Sequence, residues 1–495
     1  MNESVAKAFS MQSFTGNWKI QHKSYTQEYF GEFLYDPIKG RHELTLYGVC
    51  IFPRFDAPKI SAITGDSAHG EKVSVFDLVI TNASSGTGET ISKKTVFSFI
   101  SFCIGDKYFY NKDSIRLRKY SFRCTNLEAW TNCQPFRSKF SLRKKRVLGK
   151  INVPDHLIIF EDDIVRIKLV TIVNQNMTQL SLSASYHHKI LIEAKGNRKL
   201  PYFGAKDSFS YYEDIVYHFF GLMIGRHTIL FDCVGILEIR RVSVPPNAPA
   251  ILLKRRIYSS KKLRFFYARK VDEGWLDEIS LIDVLLSQGQ LSEAELLTAV
   301  RTFFAQFSKF GFVLDDWMIM RNTASYTNHS LPELLYNFEG LHCSLYPECD
   351  TKSGYRCVID ALHNVSPFTQ YDKLINNKKH KLPFRQRLQD ILFIKVASIY
   401  SYLTVSQKND IITYLVDVRN NDAHRNSASD CHIGKLTSCI LLCEELIAIM
   451  IFLNIGLQLP QLQAALQHRL AWLDLQDILC KEFVDKSEKS KSSLP

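Results

Sequence analysis

The chain has 495 residues, 46% of them hydrophobic and 23% charged, with 33 Phe and 22 Tyr, which excludes a disordered or fibrous chain and gives apolar residue enough for two or three packed domains. The net charge of +12 is uneven: residues 1–300 hold 41 Lys and Arg against 30 Asp and Glu, residues 301–495 hold 21 against 20, and residues 101–150 alone hold 13 against 3. The basic excess of the front part fits a polyanion footprint, and it fits a charged face that keeps the protein in solution.

The first residues, MNESVAKAFSMQSF, lack a basic region followed by an apolar core, so no signal peptide and a cytoplasmic chain are expected. From about residue 15 to 272 the pattern is strand-like: "ELTLYGVCIF", "VSVFDLVI", "HLIIFEDDIVRIKLVTIV" and "TILFDCVGILEIRRV" are rich in β-branched and aromatic residues, and several alternate apolar with polar. Turn-like segments such as "YDPIKG" and "VPPNAP" separate them. One helix interrupts, "DSFSYYEDIVYHFFGLMIG", with Gly221 or Gly225 at its end. The stretch "KKLRFFYARK" at 261–270 has the ingredients for base stacking beside phosphate contacts. An amphipathic edge strand whose lysines block aggregation is the preferred reading.

Near residue 272 the character changes. "VDEGWLDEISLIDVLLSQG" reads as a connecting helix, and helix signals dominate after it. Ser292 with Glu295 forms a capping box for "EAELLTAVRTFFAQFSKFG". Ser330 with Glu333, and Pro332 in the first turn, opens "LPELLYNFEGLHCSLY". "FRQRLQDILFIKVASIYSYL" follows the basic loop "NNKKHK", and Ser406 caps "QKNDIITYLVDV". The run Leu436 to Leu457 is about long enough to span a bilayer, but Glu444 and Glu445 near its middle make it the central helix of a soluble bundle, with no membrane partner. Gly456 stops it, and a last helix runs from about Gln461 to Phe483. The fold class is therefore α+β multidomain: a β-rich part with a helical insertion at 1–275, a connecting helix at 276–290, an all-α bundle at 291–484 and a disordered tail at 485–495.

Twelve cysteines without tight CxxC spacing read as reduced thiols. His342, Cys343, Cys349, Cys357 and His363 could offer four metal ligands, but their irregular spacing matches no zinc knuckle. They are taken as core and loop residues, with no metal or other cofactor expected.

The segment "VDVRNNDAHR" at 416–425 sets polar residues between two greasy stretches. A solvated helix–helix turn is one reading; a catalytic pair is the other. Arg419 and His424 would lie about 140° apart on an ideal helix, whereas Asn420 and His424 share a face. A break in the helix would gather an imidazole, a guanidinium and an amide. The imidazole moves a proton near neutral pH, and the guanidinium holds a phosphate and stabilises charge growing on it. Those tools suffice to cut RNA without a metal, through attack of the 2′-hydroxyl on its own phosphate. DNA lacks that nucleophile. Arg356 with His363, and Arg425 with His432, satisfy the same loose spacing.

Arg419, Asn420 and His424 resemble the R-x4-6-H signature of HEPN domains. "LLYNFEGLHCSLYP" resembles the earlier helix of the ApeA-type HEPN branch, with Glu339 as its acidic residue. The front part, with "NLEAWTNCQPF" at 126–136, resembles the ApeA N-terminal domain, so the likeness covers nearly the whole chain. The resemblance implies a bacterial anti-phage protein acting by abortive infection: a dormant, metal-independent endoribonuclease whose front domain senses or regulates. It implies a homodimer through the HEPN bundle, with two motifs facing one composite cleft, and RNA as the partner, tRNA among the candidates. A phage-derived trigger is expected. The implied catalytic set is Arg419, Asn420 and His424, with Glu339 orienting them. Candidate RNA-binding residues are Arg425, Lys378, Lys379 and Lys381, with Arg385 and Arg387 beyond them, and Arg143, Lys144, Lys145 and Arg146 in the front part; solvated surface is the alternative for these. The rival function is a non-catalytic HEPN module that binds a nucleotide or a partner.

Overall fold

A computed structural model describes the chain apart from residues 1–2, 22–25, 50, 52–59, 85–92, 132–135, 142–145, 152–155, 178–181, 197, 227, 242–257, 322–328, 366–380, 424–432 and 485–495. The chain divides into two units. One comprises residues 1–128, 133–217 and 228–278; the other comprises 129–132, 218–227 and 279–495.

In the first unit, helix α1 (Glu3–Ala8) precedes strands β1 (Gln12–Gln21), β2 (Thr26–Asp36), β3 (Arg41–Tyr47), β4 (Ala62–Asp66), β5 (Lys72–Ser84) and β6 (Lys94–Gly105). Every pairing is antiparallel, and the order β6-β3-β2-β1-β4-β5 returns to β6, so the six strands close into a barrel. Alternation explains the closure: in β3, His42, Leu44 and Leu46 are buried while their neighbours are not. Trp18, Phe33, Leu44, Val75, Phe97 and Phe102 belong to one core cluster, with Phe33 and Phe102 edge to face at 5.0 Å. Gly65 makes room for the indole, since a Cβ there would lie 2.7 Å from Trp18.

The chain continues through β7 (Arg116–Leu117), β8 (Lys119–Cys124), α2 (Leu127–Thr131), β9 (Phe136–Ser141), β10 (Arg146–Ile151), β11 (Leu157–Glu161), β12 (Val165–Met177), β13 (Leu182–Ala194), β14 (Leu200–Pro201), α3 (Phe209–Ile224), β15 (Leu230–Arg241) and β16 (Tyr258–Tyr267). A second run of strands, β16-β15-β8-β13-β12-β11, extends from β6. One edge of β6 pairs with β3 at Lys94–Ser98 and with β16 at Ser101–Gly105. This corrects the edge-strand reading of 261–270: β16 lies inside the sheet, bonded to β15 on one side and β6 on the other. β9 and β10 form a separate two-stranded ribbon. α3 is the expected helical insertion. Gly225 (φ +79) ends it, its amide and that of Arg226 both donating to the Gly221 carbonyl.

The second unit is helical. The connecting helix expected at 276–290 is absent among the described residues. Short 3₁₀ turns stand at Glu273–Leu276, Leu281–Asp283 and Gln288–Gln290. The reason is local: the amides of Leu285 and Leu286 donate to the carbonyls of Ile224 and Met223, so the backbone there bonds to the end of α3 and interrupts any continuous helix. Then come α4 (Glu293–Arg321), α5 (Ser330–Leu345), α6 (Lys352–Val365), α7 (Phe384–Gln389), a π-helical segment at Asp390–Lys395, α8 (Val405–Ala423), α9 (Ile433–Asn454), α10 (Leu459–Gln467) and α11 (Leu470–Glu482).

The capping box of Ser292 and Glu295 is present, with the Glu295 amide donating to Ser292 Oγ at 3.3 Å and the Ser292 amide to Glu295 Oε2 at 2.8 Å. Two other caps differ from expectation. Ser330 lies inside α5, and His329 takes the cap position. Thr404 and Gln407, and not Ser406, exchange the box bonds at the start of α8. The single last helix is two, broken at His468 and Arg469.

α9 is long and apolar enough to cross a membrane, yet it packs against α4, α5 and α11. Its Glu444 and Glu445 are buried and paired with Arg321 and Arg469. Charges so placed mark the core helix of a bundle. The tail at 485–495 lies outside the described residues.

Candidate functional site

α5, α7 and α8 bring the candidate residues together. Among the described residues α8 stays helical through Arg419 and Asn420 to Ala423; His424 and Arg425, the end of the polar cluster, lie beyond them. Arg419 Nη2 donates to Glu339 Oε2 of α5 at 3.0 Å, the two side chains being 30% and 25% exposed. The guanidinium carbon lies 5.8 Å from the centroid of the Tyr336 ring and 5.6 Å from that of Phe384, the first residue of α7. Arg419 Nε is buried without a hydrogen-bond partner. A planar cation held by a carboxylate and two aromatic rings, and still open to solvent, is pre-oriented for a tetrahedral oxyanion. Asn420 is exposed beside it. Arg385 Nη1 donates to Thr413 Oγ1 of α8 at 3.1 Å, and Lys381 is exposed just before α7.

Several expected residues lie outside the described part of the chain: His424, which follows the last residue of α8, Arg425, Lys378, Lys379, Arg143, Lys144 and Lys145, and the competing His432. Arg146 is the first residue of β10. The other competing pair, Arg356 and His363, stands on α6 with both residues exposed.

Arg387 is a correction. It was expected on an RNA-facing surface, but its side chain is 0% exposed. It forms a two-pronged ion pair with Asp350, both bonds 2.8 Å, and its Nη1 donates to His342 Nδ1 at 3.0 Å. His342 Nε2 faces Asp390 Oδ2 at 3.0 Å, and Lys395 stands 3.6 Å from the same oxygen. This chain joins α5 to α7 and to the π-helical segment, the first two being the helices that carry Glu339 and Phe384. Its cause is invisible locally, because the acid that draws Arg387 inward is 37 residues earlier in sequence. The π-helix leaves the Leu392 carbonyl to be taken by Lys408 Nζ at 3.3 Å.

The same network bears on metal binding. Among the described residues, the ligand atoms of His342, Cys349 and Asp390 lie within 4.8 Å of one another, while Cys357 and His363 are exposed on α6. Because Arg387 donates to Nδ1, the imidazole proton sits on Nε2 and is given to Asp390. A metal there would have to displace that proton beside two cations, so the residues do not fit one. Burial outweighs Asp390 and lowers the His342 pKa, in keeping with a neutral ring; burial likewise lifts the Cys349 thiol to about 11.

The front unit matches a known family. The model described as ApeA N-terminal domain 1 covers residues 13–263, just over half of the chain. No curated protein and no solved structure matches. A β-rich unit carrying that domain stands ahead of a helical unit compatible with a HEPN bundle, and the chain belongs to the ApeA family of anti-phage defence proteins.

Proposed function

We propose that the helical unit is a metal-independent endoribonuclease, restrained by the β-rich unit until a phage-derived trigger acts. The observation that carries this reading is the Arg419–Glu339 pair: a half-exposed guanidinium at the end of α8, oriented by a carboxylate and two rings. His424, next after α8, takes the proton from the 2′-hydroxyl. The freed oxygen attacks the adjacent phosphorus, and Arg419 stabilises the pentacoordinate oxyanion. The bond to the 5′ oxygen breaks, and that oxygen takes a proton from water, to which the protonated His424 returns the one it accepted. The products are a 2′,3′-cyclic phosphate and a 5′-hydroxyl. Asn420 binds a phosphate oxygen, and Glu339 is a positioning residue for Arg419. Arg425, the lysines at 378, 379 and 381, and Arg143, Lys144, Lys145 and Arg146 supply cations for the RNA backbone. The active form is a cytoplasmic homodimer.

The test is cleavage of RNA by purified full-length protein in EDTA, with and without extract from phage-infected cells. Arg419→Ala and His424→Ala each lower the rate by roughly 10²–10⁴. Arg425→Ala and His432→Ala, the rival pair, leave the chemical step far less affected. Variants of Arg419 and His424 that cut as fast as the parent overturn the reading. No cleavage under any condition leaves the binding-module alternative. Mass photometry showing only the 57.0 kDa chain rejects the dimer.

A further inference from the structure

The surface beside Arg419 is aromatic as well as cationic. Tyr336 stands one turn before Glu339 on α5 and is 42% exposed, with the Arg419 guanidinium 5.8 Å from its ring centroid. Gly340 follows Tyr336 by four residues and shares its helix face. Phe312 of α4, 55% exposed, covers that glycine: a Cβ at Gly340 would lie 3.5 Å from the Phe312 ring. Tyr336 and the position covered by Phe312 are thus separated by about 6 Å along α5.

A phosphate-binding cation next to two exposed rings in a row is the combination that single-stranded nucleic acid uses, its phosphate held by charge and its bases laid on aromatic faces. A base inside a duplex has both faces covered by its neighbours and has none to offer. We propose that Tyr336, with Phe312 beyond it, is a stacking platform for unpaired bases next to the phosphate that Arg419 holds. The substrate class is then RNA whose scissile nucleotide is unpaired, a loop or a single strand. The choice of ligand rests on the nuclease reading.

The same geometry offers Tyr336 a second role, that of a lid that merely steadies Arg419, and the experiment separates the two. The probe is a single-stranded oligonucleotide, 2′-O-methylated so that it cannot be cut, with 2-aminopurine in place of one base. Full-length protein and Tyr336→Phe quench its fluorescence on binding. Tyr336→Ala binds roughly 5- to 150-fold more weakly, the range that losing one stacked base gives. Phe312→Ala weakens binding of a long probe more than of a dinucleotide. The annealed duplex, followed by anisotropy of an end label because pairing itself dims 2-aminopurine, binds more weakly than the single strand. On cleavable RNA, Tyr336→Ala raises KM.

Quenching by Tyr336→Ala as strong as by the parent, a parent that fails to quench, or a preference for the duplex overturns the proposal. So does a Tyr336→Ala protein that loses kcat with KM unchanged, since that is the lid. The two readings fail separately. Tyr336-dependent quenching without cleavage sinks the nuclease and keeps the base site. Cleavage that needs Arg419 and His424 but ignores Tyr336 sinks only the base site.

Discussion

Each unit buries a glutamate, and the two are neutralised in opposite ways. Glu213 on α3, in the β-rich unit, receives the hydroxyls of Tyr120, Tyr202 and Tyr267, the last two at 3.0 and 2.7 Å. Burial lifts its carboxyl to about 8. Glu445 on α9, in the helical unit, lies between Arg321 and Arg469 at 2.8 and 3.1 Å. Burial pushes it up too, but Arg469 and Arg321 outweigh that and bring it down to about 2. Hydroxyls solvate a buried acid without requiring its charge; guanidinium groups require it. One site stays protonated at neutral pH, whereas the other is an ion cluster.

Glu445→Gln tests the difference hardest. It takes from buried Arg469 its carboxylate and leaves Arg321 with Glu444 at 3.5 Å, and a loss of about 3–5 kcal/mol in the helical unit is expected, read as faster amide exchange across α9 and α11. Glu213→Gln near pH 4, where the acid is protonated in the folded and unfolded chain alike, should shift the β-rich unit by no more than about 1 kcal/mol. Equal losses from the two would erase the contrast.

Next in size is the response to pH. Glu213 has a folded pKa above the ordinary 4.5, so its contribution is complete below 4.5 and fades as pH rises through about 8. The slope approaches about 1.4 kcal/mol per pH unit between those values, and Glu213→Gln flattens it. Glu445 runs the other way: its contribution is complete above 4.5 and is lost as pH falls toward about 2. Denaturant titrations followed by exchange in each unit would show the two slopes with opposite sign.

The smallest effect is expected at the candidate site. Arg419 and Glu339 are part-exposed, so Arg419→Ala should cost under about 1 kcal/mol of stability while RNA cleavage collapses. A melting shift as large as that of Glu445→Gln would make Arg419 a packing residue.

Period-two alternation in segments such as "ELTLY" made the front strands legible, and apolar periodicity made the bundle legible. What pattern cannot carry is partnership over distance. β5 and β6 look like a plain hairpin in sequence, yet β6 also bonds to β3 and closes the ring. Arg387 looks like a surface charge and is interior, and the partners of Glu445 on the central helix are not readable, because Asp350 and the arginines at 321 and 469 come from other segments. At the candidate site, the pairing of Arg419 with Glu339 spans 80 residues. Spacing within "VDVRNNDAHR" held no hint of it; the resemblance to the ApeA-type helix singled out Glu339.

The course of β6 has a consequence for dissecting the protein. The six strands of the ring fall within residues 12–105, a contiguous stretch, although Phe266 stacks on Phe102 at 4.6 Å from outside it. Cutting there would uncover the Phe102 face that Phe266 covers and bare the edge at Ser101–Gly105 that pairs with β16. An unpaired edge over those five residues invites strand exchange between copies, and a lysine or proline set there is the natural remedy for anyone wishing to excise the barrel.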